Sequence, residues 1–137
     1  MTEPYILWSP FFSVGVELFD RQHRKLAGII NEFYELYTEG EGKEALYDVL
    51  NALVRYADIH FQDEERVMEE HGYPELAAHR EAHEELFQGV FALNQELASG
   101  KPDVGRDILE FLHRWMRDHV LGLDREYQGF FADKVVR

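Results

Sequence analysis

The chain has 137 residues and no cysteine. That absence excludes a disulfide framework, a thiolate metal site and an iron–sulfur cluster, so any metal must be held by His, Asp or Glu. Cationic residues are scarce as well: 14 Lys and Arg stand against 27 Asp and Glu, a formal charge of −13. Nucleic acid and anionic lipid both require clustered Lys and Arg to displace counterions, and neither is an expected partner. No apolar run approaches the roughly 20 residues of a membrane span. The first ten residues carry no Lys or Arg and include Glu3 and Pro4, which does not suit a secretory signal, so cytoplasmic residence is expected.

What the chain does have is enough apolar material to fold, with 45% hydrophobic and 14% aromatic residues. One domain over 1–137 is expected. Four stretches carry a helical period and are bounded by turn signals. Phe19, His23, Leu26, Ile30, Phe33 and Tyr37 mark a helix over 19–39 that stops at Gly40-Glu41-Gly42. Leu46, Val49, Leu53, Ala57, His60, Glu64, Val67 and His71 mark a second over 43–71, closed by Gly72-Tyr73-Pro74. Leu76, His79, His83, Leu86, Val90, Leu93 and Leu97 mark a third over 75–98. Ile108, Leu112, Trp115, His119 and Leu123 mark a fourth over 103–133, with a bend expected at Gly122. Short connections make sequential helices antiparallel, which predicts an all-α, up-down-up-down four-helix bundle. Residues 1–18, with Trp8, Pro10 and Phe11-Phe12, lack the period and predict an irregular arm packed by its aromatics.

The core stripes hold an anomaly. His23, His60, Glu64, His79, His83 and His119 stand where apolar residues belong, and burying them unpaired would cost roughly several kcal/mol each. His60 and Glu64 are four apart, as are His79 and His83, so each pair projects from one face of its helix. His119 and Asp124 are five apart, about 140° around an ideal helix and well off a common face; either Leu121-Gly122-Leu123 distorts the helix locally or Asp124 approaches from the flank to bridge. In an alternating bundle His23, His60, Glu64, His79, His83 and His119 fall at the same end, within about two to three turns. Five imidazoles and two carboxylates suit iron better than calcium or magnesium, which prefer oxygen shells, and exceed what one four-coordinate zinc can use. Two octahedral metals offer twelve positions; five His, two bridging carboxylates and a bridging oxo or hydroxo fill eleven. A split of three His and two His would leave the vacancy on the two-His metal. An imidazole-rich set also neutralises less metal charge than the Glu-rich sets of di-iron oxygenases, which favours binding over substrate oxidation.

In order, Asp20-Arg21-Gln22-His23, His60-Phe61-Gln62-Asp63-Glu64, His79-Arg80-Glu81-Ala82-His83 and His119-Val120-Leu121-Gly122-Leu123-Asp124 resemble the motifs of the bacterial hemerythrins. Trp8, Gly15-Val16, Gly72-Tyr73-Pro74 and Trp115 extend the resemblance over nearly the whole chain. It implies that His79, His83 and His119 bind one iron, His23 and His60 the other, and that Glu64 and Asp124 bridge them. It further implies reversible dioxygen binding at the two-His iron, for storage, delivery or sensing, by a protein that turns over no substrate. A monomer is the expected form. Trp115, Met116 and Val120 would line the oxygen pocket; Met116 departs from the usual Leu, and Val120 from the common Ile.

Two alternatives accompany this expectation. One is a di-iron peroxidase, oxidase or nitric-oxide-handling enzyme, suggested by the flexible thioether of Met116. The other is an oxygen- or redox-responsive interaction module. His71 lies about 10 Å beyond Glu64 along the helix axis and is expected to support the helix C-terminus. His113 faces away from His119 and is expected at the surface. Asp63, Glu65, Glu69 and Glu70 are expected on solvated faces.

Overall fold

The computed structural model describes residues 5–134 and 136. Glu3 and Pro4, at the start of the expected arm, lie outside the described residues. Four long helices run as α1 Glu17–Thr38, α2 Lys43–His71, α3 Leu76–Ala98 and α4 Val104–Asp118. Each packs on the next and α4 returns to α1, which closes the four-helix bundle. Among the described residues there is no strand, and no helix is long and apolar enough to cross a membrane.

The stripes seen in the sequence form the core. Phe19, Leu26, Ile30 and Phe33 of α1 meet Leu50, Leu53, Ala57 and Met68 of α2, Leu86 and Val90 of α3, and Ile108 and Leu112 of α4, all buried. The α2–α3 turn is set by Gly72, whose φ of 69° is left-handed and suits glycine. There the Tyr73 N–H donates to the Met68 carbonyl at 2.8 Å, closing the helix end.

The arm is irregular but tied down. Pro10–Phe12 form a single 3-10 turn, Trp8 stacks on Phe12 at 5.0 Å, and Tyr5 stacks on Tyr34 at 4.9 Å. The Ile6 N–H donates to Asn31 Oδ1 at 2.7 Å while Asn31 Nδ2 donates to the Ile6 carbonyl at 2.9 Å. The buried Asp20 carboxylate accepts from Ser13 Oγ at 2.6 Å and from the Val14 N–H at 2.8 Å. This anchorage explains why α1 begins at Glu17, two residues before the expected start: Asp20 fixes the incoming chain against the first turn, and Glu17 and Asp20 complement the helix dipole there.

The fourth helix differs most from expectation. It is not continuous over 103–133: α4 ends at Asp118, His119–Asp124 form a π-helical segment, and α5 covers only Gln128–Phe131. The Arg125 N–H reaches the Val120 carbonyl five residues back, the mark of this wider winding.

Two glycines on long helices have opposite surroundings. A Cβ on Gly105 would stand 2.5 Å from Tyr37 Cδ1, whereas one on the exposed Gly28 meets nothing within 4 Å. Gly105→Ala is therefore expected to lower stability by about 1–3 kcal/mol through overpacking, and Gly28→Ala to raise it by up to about 1 kcal/mol. Urea unfolding of the two variants checks the opposite signs.

Candidate metal centre

All four walls of the bundle contribute to one buried cluster. His23 comes from α1, His60 and Glu64 from α2, His79 and His83 from α3, and His119 and Asp124 from the π segment. None of the seven is more than 5% exposed. The winding of the π segment solves the spacing problem at the fourth helix, since residues five apart stand nearly above one another when the backbone bonds span five residues. His119 Nε2 consequently lies 3.0 Å from Asp124 Oδ1.

The two carboxylates divide the imidazoles between their oxygens. Glu64 Oε1 lies 3.3 Å from His79 Nε2 and 3.2 Å from His83 Nε2, while its Oε2 lies 3.2 Å from His60 Nε2 and 3.7 Å from His23 Nε2. Asp124 repeats the division: Oδ1 is 2.7 Å from His79 Nε2, and Oδ2 is 3.1 Å from His23 Nε2. Two groups of four donors emerge, Glu64 with His79, His83 and His119, and Glu64 with His23, His60 and Asp124. Within each group the ligand atoms lie within 4.8 Å of one another.

The polar atoms of this cluster are poorly satisfied by each other. Nε2 of His23, His60, His83 and His119, Oε1 of Glu64 and Oδ2 of Asp124 are buried without a hydrogen-bond partner among the described residues. Native cores rarely leave such atoms unpaired, because each costs about 1–3 kcal/mol. Lone pairs aimed at common points between the side chains fit metal ions, and nitrogen with carboxylate oxygen and no sulfur fits iron. Electrostatics prepares the two carboxylates. Burial favours the neutral acids, yet Glu64 is held well below the usual carboxylate range by His60, His23 and His83. Asp124, against burial and the Glu64 charge, is lowered by His119 and His23. Both are anions. Burial lowers the pKa of His60, whereas for His23 the Asp124 and Glu64 carboxylates outweigh burial and raise it to about 9.

A surrounding layer fixes the ring orientations, and little in the residue pattern announces it. His60 Nδ1 pairs with Gln22 Oε1 at 2.6 Å, and Gln22 Nε2 donates to Asp63 Oδ2 at 2.7 Å. His83 Nδ1 pairs with Glu65 Oε2 at 2.8 Å, and Arg80 Nε donates to Glu65 Oε1 at 3.1 Å. Asp63 and Glu65, expected on a solvated face, are therefore partly buried partners of the cluster. Tyr127, fully buried, donates its hydroxyl to Glu64 Oε2 at 3.2 Å. Burial and the Glu64 and Asp124 charges push its pKa well above the usual value, which keeps it a donor. Only the adjacency of Gln22 to His23 and of Glu65 to Glu64 could have flagged two of these residues.

The other singled-out residues fall as follows. Trp115 stacks on His119 at 4.9 Å, and Phe61 lies flat on His83 at 3.8 Å. Met116 and Val120 are buried, at 1% and 0% exposure. His71 stays outside the cluster, with Nδ1 3.2 Å from the Val67 carbonyl and its ring against Phe131. His113 is partly exposed and meets the edge of Tyr5.

Comparison with known proteins bears on this cluster. The sequence profile of the hemerythrin HHE cation-binding domain matches residues 14–131. A bacteriohemerythrin of Stenotrophomonas maltophilia is 31% identical over 130 residues, covering 95% of this chain and 81% of the relative. One from Clostridium acetobutylicum is 30% identical, covering 88% of this chain and 97% of its own length. Among solved structures, wild-type hemerythrin superposes with a TM-score of 0.81 at 27% identity, covering 90% of this chain and 95% of that one.

Tyr127→Phe is expected to leave Glu64 Oε2 short of a donor while preserving the aromatic packing. The metal-free protein should lose about 1.5–3 kcal/mol in chemical unfolding, the range for a hydrogen bond to a charged group, with its helical circular dichroism unchanged.

Proposed function

The chain belongs to the hemerythrin family, and from that premise we propose that it binds dioxygen reversibly at a non-haem, carboxylate-bridged di-iron centre. The observation that carries this reading is the uneven division of the imidazoles, three on one side of the carboxylate pair and two on the other. His79, His83 and His119 would hold one iron, His23 and His60 the second, and Glu64 and Asp124 would each give one oxygen to either ion, beside a bridging oxo or hydroxo group. Two ferrous ions held in this way would supply the electrons that dioxygen uptake requires. With both ions six-coordinate, these residues would leave one position free on the two-histidine side, which a single small ligand could take. So few open positions support binding without turnover.

The remaining residues keep the site dry and fixed. Phe19, Phe61, Met68, Leu112, Met116, Val120 and Tyr127 are all buried at this end of the core. Water exclusion lowers the local dielectric and disfavours escape of charged oxygen species. Met116 and Val120 would form the wall nearest the ligand, whereas Trp115, stacked on His119, covers the three-histidine side. Gln22 and Glu65 hold the His60 and His83 rings so that Nε2 faces inward.

Metal analysis and an absorption spectrum of the reduced protein before and after air test the reading together. Two irons per chain, with a visible band that appears in air and fades on degassing, are expected; a band that never fades, or steady consumption of peroxide or nitric oxide, contradicts it. His60→Ala and His79→Ala should each lower iron content sharply, by roughly tenfold or more in affinity, whereas His71→Ala should retain both ions. Equal iron in all three variants would refute the ligand assignment.

A further inference from the structure

His60 and His83 belong to opposite sides of the cluster, and each has a side-chain partner on its outward nitrogen. Those partners differ in charge. His83 Nδ1 donates directly to a carboxylate, Glu65 Oε2 at 2.8 Å, while His60 Nδ1 donates to a neutral amide oxygen, Gln22 Oε1 at 2.6 Å. Along the hydrogen-bond chain that leaves His60 Nδ1, the first carboxylate is Asp63, one amide further out and bonded to Gln22 Nε2 at 2.7 Å. Arg80 tempers Glu65 from outside, but its side chain is half exposed and its charge is screened by water, whereas the Glu65–His83 contact lies against a ring only 3% exposed. A charge-assisted hydrogen bond is roughly twice as strong as a neutral one. An imidazole donating to an anion becomes the more basic ligand, and a more basic ligand favours the higher oxidation state of its metal.

We propose that Glu65 and Gln22 are positioning residues that make the two metal positions electronically unequal. The direct carboxylate on His83 makes the three-histidine ion the easier of the two to oxidise, and the amide on His60 holds the two-histidine ion more firmly in its reduced state. The inference deepens the di-iron reading above and rests on it.

The test is an oxidative titration of the iron-loaded, fully reduced protein with ferricyanide under argon, followed by optical and Mössbauer spectra. Each step takes one electron from one Fe2+, giving Fe3+, and converts one ferricyanide to ferrocyanide. Wild-type protein should show two separated steps. Glu65→Gln should move the first step toward the second by roughly tenfold in equilibrium constant. The double variant Gln22→Glu/Asp63→Asn keeps the hydrogen-bond chain and the net charge but brings the anion onto His60; it should move the second step toward the first. A role confined to packing would not narrow the gap from opposite sides. If Glu65→Gln does not fold, the double variant decides alone. Separations within twofold of wild type, or a Glu65→Gln change confined to the second step, overturn the inference while leaving the di-iron reading standing. Wild-type protein that holds no iron overturns both.

Discussion

Seven polar side chains sit in the core of a small bundle, and the rest of the structure depends on their facing one another. Five imidazoles and two carboxylates cannot be buried singly at tolerable cost. Here each carboxylate answers imidazoles on two sides, with Glu64 near His79 and His83 through one oxygen and near His23 and His60 through the other. Mutual attraction holds the two acids as anions against burial. Yet the pairing is incomplete, since most of the inward nitrogens lack a hydrogen bond. A cluster that attracts itself without satisfying itself is what a cation-binding core requires, because a fully bonded one would compete with the ion.

The bundle supplies the common level and the surrounding layer supplies direction. Antiparallel helices bring a residue early in α1 beside residues late in α2, early in α3 and just past α4. Ring orientation is then fixed from outside by Gln22 and Glu65, and from the flank by the flat stacking of Phe61 on His83 and of Trp115 on His119. These aromatic faces also displace water. Packing and positioning are thus carried by the same residues at this end of the molecule.

Much of this was legible in the sequence. Period and punctuation gave the helices, and His or Glu on apolar stripes exposed the cluster, because polar residues in those places have few other uses. Legibility failed where geometry departed from the ideal helix. His119 and Asp124 looked out of phase at a spacing of five, and only the structure reveals the π segment that aligns them. It failed again for Glu65 and Asp63, which resemble any acidic pair on a solvated face; their partners lie on other helices, 18 residues away at His83 and 41 away at Gln22. Tyr127 was invisible for the same reason, being 63 residues from Glu64.

The π segment reaches beyond the alignment of one pair. An extra residue in a helix rotates everything after it, and the chain beyond Asp124 carries Tyr127 against Glu64 and Phe131 against Phe19. The phase of the buried residues that follow Asp124 is thereby geared to the phase of that carboxylate. Evolution can exchange side chains along this stretch one at a time, but a change of length would turn acid, phenol and cover together, which makes it a poor place for insertions and deletions.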